Sequence, residues 1–310
     1  MKGPLFYAKI LLFGEYGIIK DSKGLAIPYN SYKGALKKSI TLSEEIKDSN
    51  QNLLAFYEYL KNLESNDVLD LRLDAFKVDI DEGMYFDSSI PQGYGVGSSG
   101  ALVASVYDKY ANDKITVLEN LTRDKLLKLK EIFSLLESFF HGKSSGLDPL
   151  NSYLSIPILI NSTTNLEPTG IPSQKSEGKG AVFLLDSETM GETGPMVSIF
   201  MNKMKNEGFR KMINEDFAQY TDDCIHDFLN GNIKSLFGNV KKLSTVVLEN
   251  FKPMIPSPFQ KIWKHGIESN DYYLKLCGSG GGGYILGFTK DFAKTKAILK
   301  AYKLELVYKF

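Results

Sequence analysis

The segment PQGYGVGSSGA, Pro91 to Ala101, constrains this chain more than any other. It sets Gly93, Gly95, Gly97 and Gly100 around a Ser98-Ser99 pair, immediately before residues with helical apolar spacing. Glycines carry no Cβ, so such a loop can turn through positive φ and bring several backbone N–H groups to one anion. The first turn of the following helix adds unpaired donors and the positive end of its dipole. The segment therefore predicts a phosphate-binding loop. Gly93, Tyr94, Gly95, Val96, Gly97, Ser98, Ser99, Gly100 and Ala101 would wrap a polyphosphate such as ATP, with a serine hydroxyl where a phosphate-bound metal needs an oxygen. A plain strand-to-helix turn is the competing reading of these residues taken alone.

A second cluster, CGSGGGGYILGF, lies between the apolar runs Tyr272 to Leu276 and Tyr284 to Phe288. Each glycine costs about 0.5–1 kcal/mol relative to alanine in regular structure, so a run of them needs a reason. A hairpin turn requires one or two. Gly278, Gly280, Gly281, Gly282 and Gly283 exceed that demand, and the excess predicts a loop packed closely under the phosphate site.

The remaining pattern alternates strands and helices. Phe6 to Gly14 reads as a strand whose one cation, Lys9, is either functional or turned to solvent. Ile40 to Leu42, Leu69 to Phe76 and Tyr85 to Ile90 read as further strands, with LDLRLDAF alternating apolar and polar residues. Asn52 to Leu63 reads as a helix. Another spans Thr122 to His141, with Thr122 as N-cap and Gly142 just past its end. Glu137 falls in its last turn, where the dipole disfavours a carboxylate unless a metal or lysine compensates. The stretch Asn161 to Lys179 is polar and rich in Pro, Gly and Ser, and predicts a boundary between domains 1–177 and 178–310. Helical patterns follow at Met196 to Lys205, Phe209 to Leu229, Ile233 to Asn250 and Pro258 to Ser269, and the chain closes with strand, helix, strand.

Composition narrows the partners. Lys+Arg 37 balances Asp+Glu 37 in 310 residues, so no net field draws the chain to nucleic acid or to an anionic membrane. Two cysteines, Cys224 and Cys277, are too few for a disulfide framework. The N-terminal residues lack a secretory pattern, and no apolar run approaches the ~20 residues that cross a bilayer. A cytoplasmic location is expected, with a small-molecule partner and a homodimer left open. His226 and His265 lie in amphipathic helical patterns without neighbouring Cys/His ligands and read as structural, and Cys277 reads as a small buried residue near the site.

The segment HGKSSGLDPLNS, carrying His141, Ser144, Ser145, Gly146, Asp148 and Asn151, reads alone as a polar turn with a helix-capping aspartate. Together with two glycine loops, Lys9 and Glu137, it completes what phosphoryl transfer needs. That set is donors around phosphates, oxygens for magnesium, a cation for developing charge, and a carboxylate facing an acceptor hydroxyl.

In order and spacing, KILLFGEYG (Lys9 to Gly17), PQGYGVGSSGA (Pro91 to Ala101) and LCGSGGGG (Leu276 to Gly283) resemble the three motifs of the GHMP kinases, the superfamily of galactokinase, homoserine, mevalonate and phosphomevalonate kinases. Glu137, then His141-Gly142, then Ser145 to Asp148 eleven positions after the glutamate, resembles the mevalonate kinase pattern. The galactokinase substrate signature is absent. Homoserine kinases lack the equivalent aspartate. The resemblance implies a two-domain α+β fold, with an N-terminal domain like domain 2 of ribosomal protein S5, a ferredoxin-like C-terminal domain, and ATP between them. It implies Asp148 as base with Lys9 beside it, Ser99 and Glu137 as Mg²⁺ ligands, and acceptor contacts from Lys9, Glu15, Tyr16, His141, Asp148 and Thr193. Gly278, Gly280, Gly281 and Gly282 would form a supporting loop.

The implied reaction is Mg²⁺-dependent transfer from ATP to the primary hydroxyl of mevalonate. Phosphomevalonate, a sugar or another hydroxy acid are alternative acceptors, and a catalytically silent nucleotide-binding regulator is an alternative of another class. Two residues depart from the mevalonate kinase pattern. Tyr16 stands where histidine is usual, and a phenol can donate a hydrogen bond but cannot become cationic. Gly100 stands where an alanine is usual and should weaken the first helical turn slightly.

Overall fold

Apolar residues at strand and helix spacing generate twenty regular elements in the computed structural model, which describes residues 4–41, 43–63, 69–116 and 121–310. In chain order they are β1 (Phe6–Phe13), β2 (Gly24–Lys38), α1 (Glu44–Lys61), α2 (Leu73–Asp81), β3 (Met84–Ser88), α3 (Ser98–Tyr110), α4 (Arg123–His141), α5 (Leu147–Leu154), β4 (Ile158–Ser162) and β5 (Asn165–Pro168). There follow β6 (Ala181–Asp186), α6 (Thr193–Lys203), α7 (Glu207–Met212), α8 (Ala218–Leu229), α9 (Ile233–Asn250), α10 (Ser257–Ser269), β7 (Tyr272–Leu276), β8 (Tyr284–Thr289), α11 (Phe292–Ile298) and β9 (Leu304–Lys309). The fold is α+β, as the motifs imply.

Contacts divide the chain into two units, each built from discontinuous segments. The first comprises Met1–Lys9, Pro28–Pro91 and Gly97–Ile156, and the second Ile10–Ile27, Gln92–Val96 and Pro157–Phe310. The chain thus crosses from one unit to the other within β1, within β2, between Pro91 and Gln92, between Val96 and Gly97, and between Ile156 and Pro157.

In the first unit, β2 pairs antiparallel with β3 from Gly34↔Ser88 to Lys38↔Met84. Helices α1 to α5 supply its apolar interior: Leu53, Phe56 and Leu60 from α1, Phe76 and Ile80 from α2, Leu129, Phe133 and Leu136 from α4. Thr122 caps α4, its Oγ1 accepting from the Lys125 N–H at 3.4 Å, and Gly142 ends it at φ 71°, as the spacing predicts.

Two strand expectations in this unit are corrected. Leu73 to Phe76, expected as strand, opens helix α2. Leu73, Phe76 and Ile80 are buried, and their spacing of three and four residues puts them on one helical face. The alternation of Leu69, Leu71 and Leu73 yields only an isolated bridge from Leu71 to Ala111. Asp79 fastens α2 by accepting hydrogen bonds from Lys38, Lys109 and Tyr110. Burial alone would raise its pKa, but those bonds outweigh it and lower it to about 2. The second correction concerns 40–42. Ile40 is fully exposed outside any strand, Leu42 lies outside the described residues, and the strand runs earlier, over Gly24–Lys38.

In the second unit, β6, β7, β8 and β9 form an antiparallel sheet in the order β7-β8-β6-β9. Helices α6 to α10 fill the crossover before β7, and α11 fills that between β8 and β9. This is the β-α-β-β-α-β arrangement of ferredoxin-like domains. The Phe13 ring stacks on Phe288 at 5.4 Å, and Trp263, wholly buried, donates its indole N–H to Ser244 Oγ at 2.9 Å. The expected helix Phe209 to Leu229 is α7 and α8 joined by one π-helical turn, Ile213–Phe217. No described helix is long and apolar enough to cross a membrane.

Candidate active site

In the first unit Lys9, 5% exposed in an otherwise apolar strand, places its Nζ 2.9 Å from Asp148 Oδ1. Asp148 sits in the first turn of α5, whose N-cap is Gly146 at φ 72°. The aspartate therefore does not cap the helix; it is presented sideways by it. Two glycines of the Pro91 to Ala101 segment make this approach sterically possible. A Cβ on Gly97 would come within 2.9 Å of Lys9 Cγ, and one on Gly100 within 2.7 Å of the Asp148 carbonyl carbon. Gly100 thus lets the first turn of α3 lie against the backbone that carries the aspartate, which accounts for glycine where alanine is usual.

Helix α3 begins at Ser98 with Gly97 as N-cap at φ 80° and no side-chain cap, so no capping side chain occupies its first-turn donors. Ser99 Oγ donates to Glu137 Oε1 at 3.2 Å and lies 3.1 Å from His141 Nε2. Ser144 Oγ donates to the other oxygen, Glu137 Oε2. Burial, followed by the negative charge of Asp148, raises Glu137 to about 8 despite these hydroxyls and Lys9. Burial likewise lowers His141. A buried carboxylate flanked by hydroxyls and holding its proton so strongly lacks a full positive counter-charge. The carboxylate oxygens and the two hydroxyls are oxygen ligands of the kind a hard divalent cation such as Mg²⁺ takes, beside the His141 ring.

In the second unit the two glycine loops meet as backbone on backbone. A Cβ on Gly95 would approach the Cys277 carbonyl oxygen to 2.4 Å, and one on Gly283 the Tyr94 Cα to 2.4 Å. The Gly191 N–H donates to the Gly93 carbonyl at 2.9 Å, and Gly281 N–H to the Met254 carbonyl at 2.7 Å. The glycine excess in 278–283 is required by this interlock, with positive φ at Gly278, Gly280, Gly281 and Gly283. Cys277 is buried beside Gly95, while His226 and His265 are exposed.

Glu15, Tyr16 and Thr193, expected among the acceptor contacts, also lie in this unit. Glu15 Oε1 accepts from Lys275, both side chains being buried, and Lys275 Nζ also donates to the Leu276 carbonyl at 3.0 Å. Tyr16 donates its hydroxyl to the Ser279 carbonyl at 2.5 Å, and Ser279 Oγ donates to Thr193 Oγ1 at 3.4 Å. Sequence reasoning passed over Lys275. The signal was the one that marked Lys9, a lone lysine inside an apolar strand, here YYLKL with all five residues buried.

A glycine-rich turn thus opens helix α3 beside the Lys9–Asp148 pair. Residues 54–155 match the family model described as "GHMP kinases N terminal domain", and over those residues the chain carries that domain. Its fold is similar to that of L. major mevalonate kinase in complex with R-mevalonate, at 15% identity and TM-score 0.64 over 97% of this chain and 91% of that one. It is similar also to Streptococcus pneumoniae phosphomevalonate kinase in complex with phosphomevalonate and AMPPNP, at 13% identity and TM-score 0.62 over 99% and 100%. Lactococcus lactis galactokinase complexed with galactose matches at 12% identity and TM-score 0.61 over 98% and 92%. None of the curated proteins compared matches the sequence.

Proposed function

We propose that this chain is an ATP- and Mg²⁺-dependent kinase that phosphorylates the primary hydroxyl of mevalonate, giving 5-phosphomevalonate and ADP. The observation that carries the reading is the 2.9 Å pair of Lys9 Nζ and Asp148 Oδ1, against which Gly97 and Gly100 of the phosphate loop are packed. Asp148 accepts the proton of the attacking hydroxyl. Lys9 pairs with that carboxylate and stabilises charge on the reacting oxygens. An aspartate is a weak base toward an alcohol, so alignment and electrostatics supply most of the acceleration.

Ser99 and Glu137 are the residues that would hold Mg²⁺, with Ser144 orienting Glu137 through its second oxygen. The ion, when bound, neutralises charge developing on the transferred phosphoryl group. Backbone donors of Gly93 to Ala101 cradle the phosphates, and His141 is assigned to the acceptor side. The mevalonate-bound and AMPPNP-bound neighbours support a nucleotide and a small hydroxylated acid as ligands.

A coupled ADP assay with mevalonate, phosphomevalonate, galactose and a panel of hydroxy acids tests the reading. Mg²⁺-dependent turnover is expected with mevalonate. Turnover with another acceptor alone would reassign the substrate, and no ADP with any acceptor would leave a nucleotide-binding regulator as the function.

A further inference from the structure

Tyr16 occupies the left-handed region at φ 62°, a strained conformation for a bulky residue. Such strain persists only where the surroundings hold it. Here the ring is packed against Phe200 and Phe251, with centroids 4.7 and 5.5 Å away, and the hydroxyl reaches the Ser279 carbonyl at 2.5 Å. Burial, aided by the charge of Glu15, raises the phenol well above its ordinary pKa, so it acts only as a neutral donor. The preceding residue, Glu15, is anchored to Lys275 two positions before the same glycine loop, and Lys275 also holds the Leu276 carbonyl. A cavity of about 10 Å³ lined by Glu15, Tyr16, Thr221 and Lys275 adjoins this pair. Thr221 Oγ1 has no hydrogen-bond partner among the described residues. Two successive residues of the first motif are thus committed to opposite ends of one turn of the third.

We propose that Glu15 and Tyr16 are positioning residues. With Lys275 they fix the backbone of Gly278–Gly283, and through the Cys277–Gly95 and Tyr94–Gly283 contacts they fix the 93–95 half of the phosphate loop. The inference rests on the kinase reading only in taking that half to meet phosphate. Tyr16 selects the loop's shape and does not read the acceptor.

The test compares the full-length chain with Tyr16→Phe, which removes one oxygen and keeps the ring, and with the double variant Glu15→Gln/Lys275→Met, which leaves no unpaired buried charge. Amide hydrogen exchange over 276–284 and 93–96 is the first readout, and Mg²⁺-AMPPNP binding with the split of ATP KM against kcat is the second. Tyr16→Phe should speed exchange in both loops about tenfold, the worth of one ordinary hydrogen bond, and leave α4 unchanged. AMPPNP binding should weaken and ATP KM rise by a similar factor, with a smaller change in kcat. Unchanged loop exchange in Tyr16→Phe would overturn the proposal, as would a rise confined to the acceptor KM. The double variant, where it folds, should loosen the same loops; protection equal to wild type would remove Glu15 from the assignment. Hydrogen exchange requires no turnover, so loosened loops in a chain that phosphorylates nothing would sink the kinase reading and leave this one standing.

Discussion

Gly100 faces the backbone of Asp148 so closely that a Cβ would come within 2.7 Å of the Asp148 carbonyl carbon and 2.8 Å of Pro149 N. Intrinsic propensity favours alanine over glycine in a helix by about 1 kcal/mol, so on propensity alone Gly100→Ala should stabilise. The contact reverses that expectation. Backbone atoms at this distance cannot step aside singly, and Asp148 must move away from Lys9. Gly100→Ala should lower kcat by at least about tenfold, in keeping with the sensitivity of catalysis to sub-ångström alignment. Steady-state turnover measures it, and an unchanged kcat would show that α5 yields without effect.

Asp148→Asn keeps the shape of the side chain and removes its basicity. We expect ATP binding to persist and kcat to fall ~10²- to 10⁴-fold, the usual contribution of a general base. Lys9→Met should lose comparable turnover. Calorimetric titration with AMPPNP alongside the rate assay separates binding from chemistry, and normal turnover of Asp148→Asn would remove it as base.

Glu137 gives the metal-free chain a distinctive pH response. Its folded pKa of about 8 exceeds its ordinary value of 4.5, so between those limits the folded state binds more protons than the unfolded. Its stabilising contribution is therefore complete below about pH 4.5 and is lost as pH rises through about 8. With metal chelated, wild-type melting temperature should fall more steeply from pH 5.5 to 8.5 than that of Glu137→Gln. Added Mg²⁺ should recover stability at the upper end in wild type only. Parallel pH profiles for the two proteins would refute the assignment.

Trp263 provides a contrast, being assigned no part in the chemistry. Trp263→Phe removes the donor to Ser244 and leaves that buried hydroxyl short of a partner, at a cost of about 1–3 kcal/mol. Thermal denaturation should show the loss while ATP KM stays at the wild-type value.

Much of this was legible in the residues themselves. The glycine-rich turn that opens α3 and the capped helix carrying Glu137 in its last turn follow from local spacing, whereas the pairing of Lys9 with the distant Asp148 is implied only by the family resemblance. Helix α2 was misread because Leu69, Leu71 and Leu73 alternate like a strand, whereas the choice was made by Asp79 accepting from Lys38 and Lys109, two residues distant in sequence. Strand β2 was missed because its polar stretch YNSYKG interrupts the apolar period that marks a strand. The reason for Gly100 and the engagement of Tyr16 with Ser279 depend on contacts 48 and 263 positions away in the chain, counting Gly100 to Asp148 for the first. No periodicity announces such contacts.

The interlock of Gly95 with Cys277 and of Gly283 with Tyr94 has a practical consequence for anyone redesigning this molecule. Where main chain abuts main chain, no side chain is available to trim or enlarge, and a library of point substitutions there samples only damage. Altered nucleotide preference should be sought by exchanging both loops together as a matched cassette, with single-site diversity reserved for walls made of side chains.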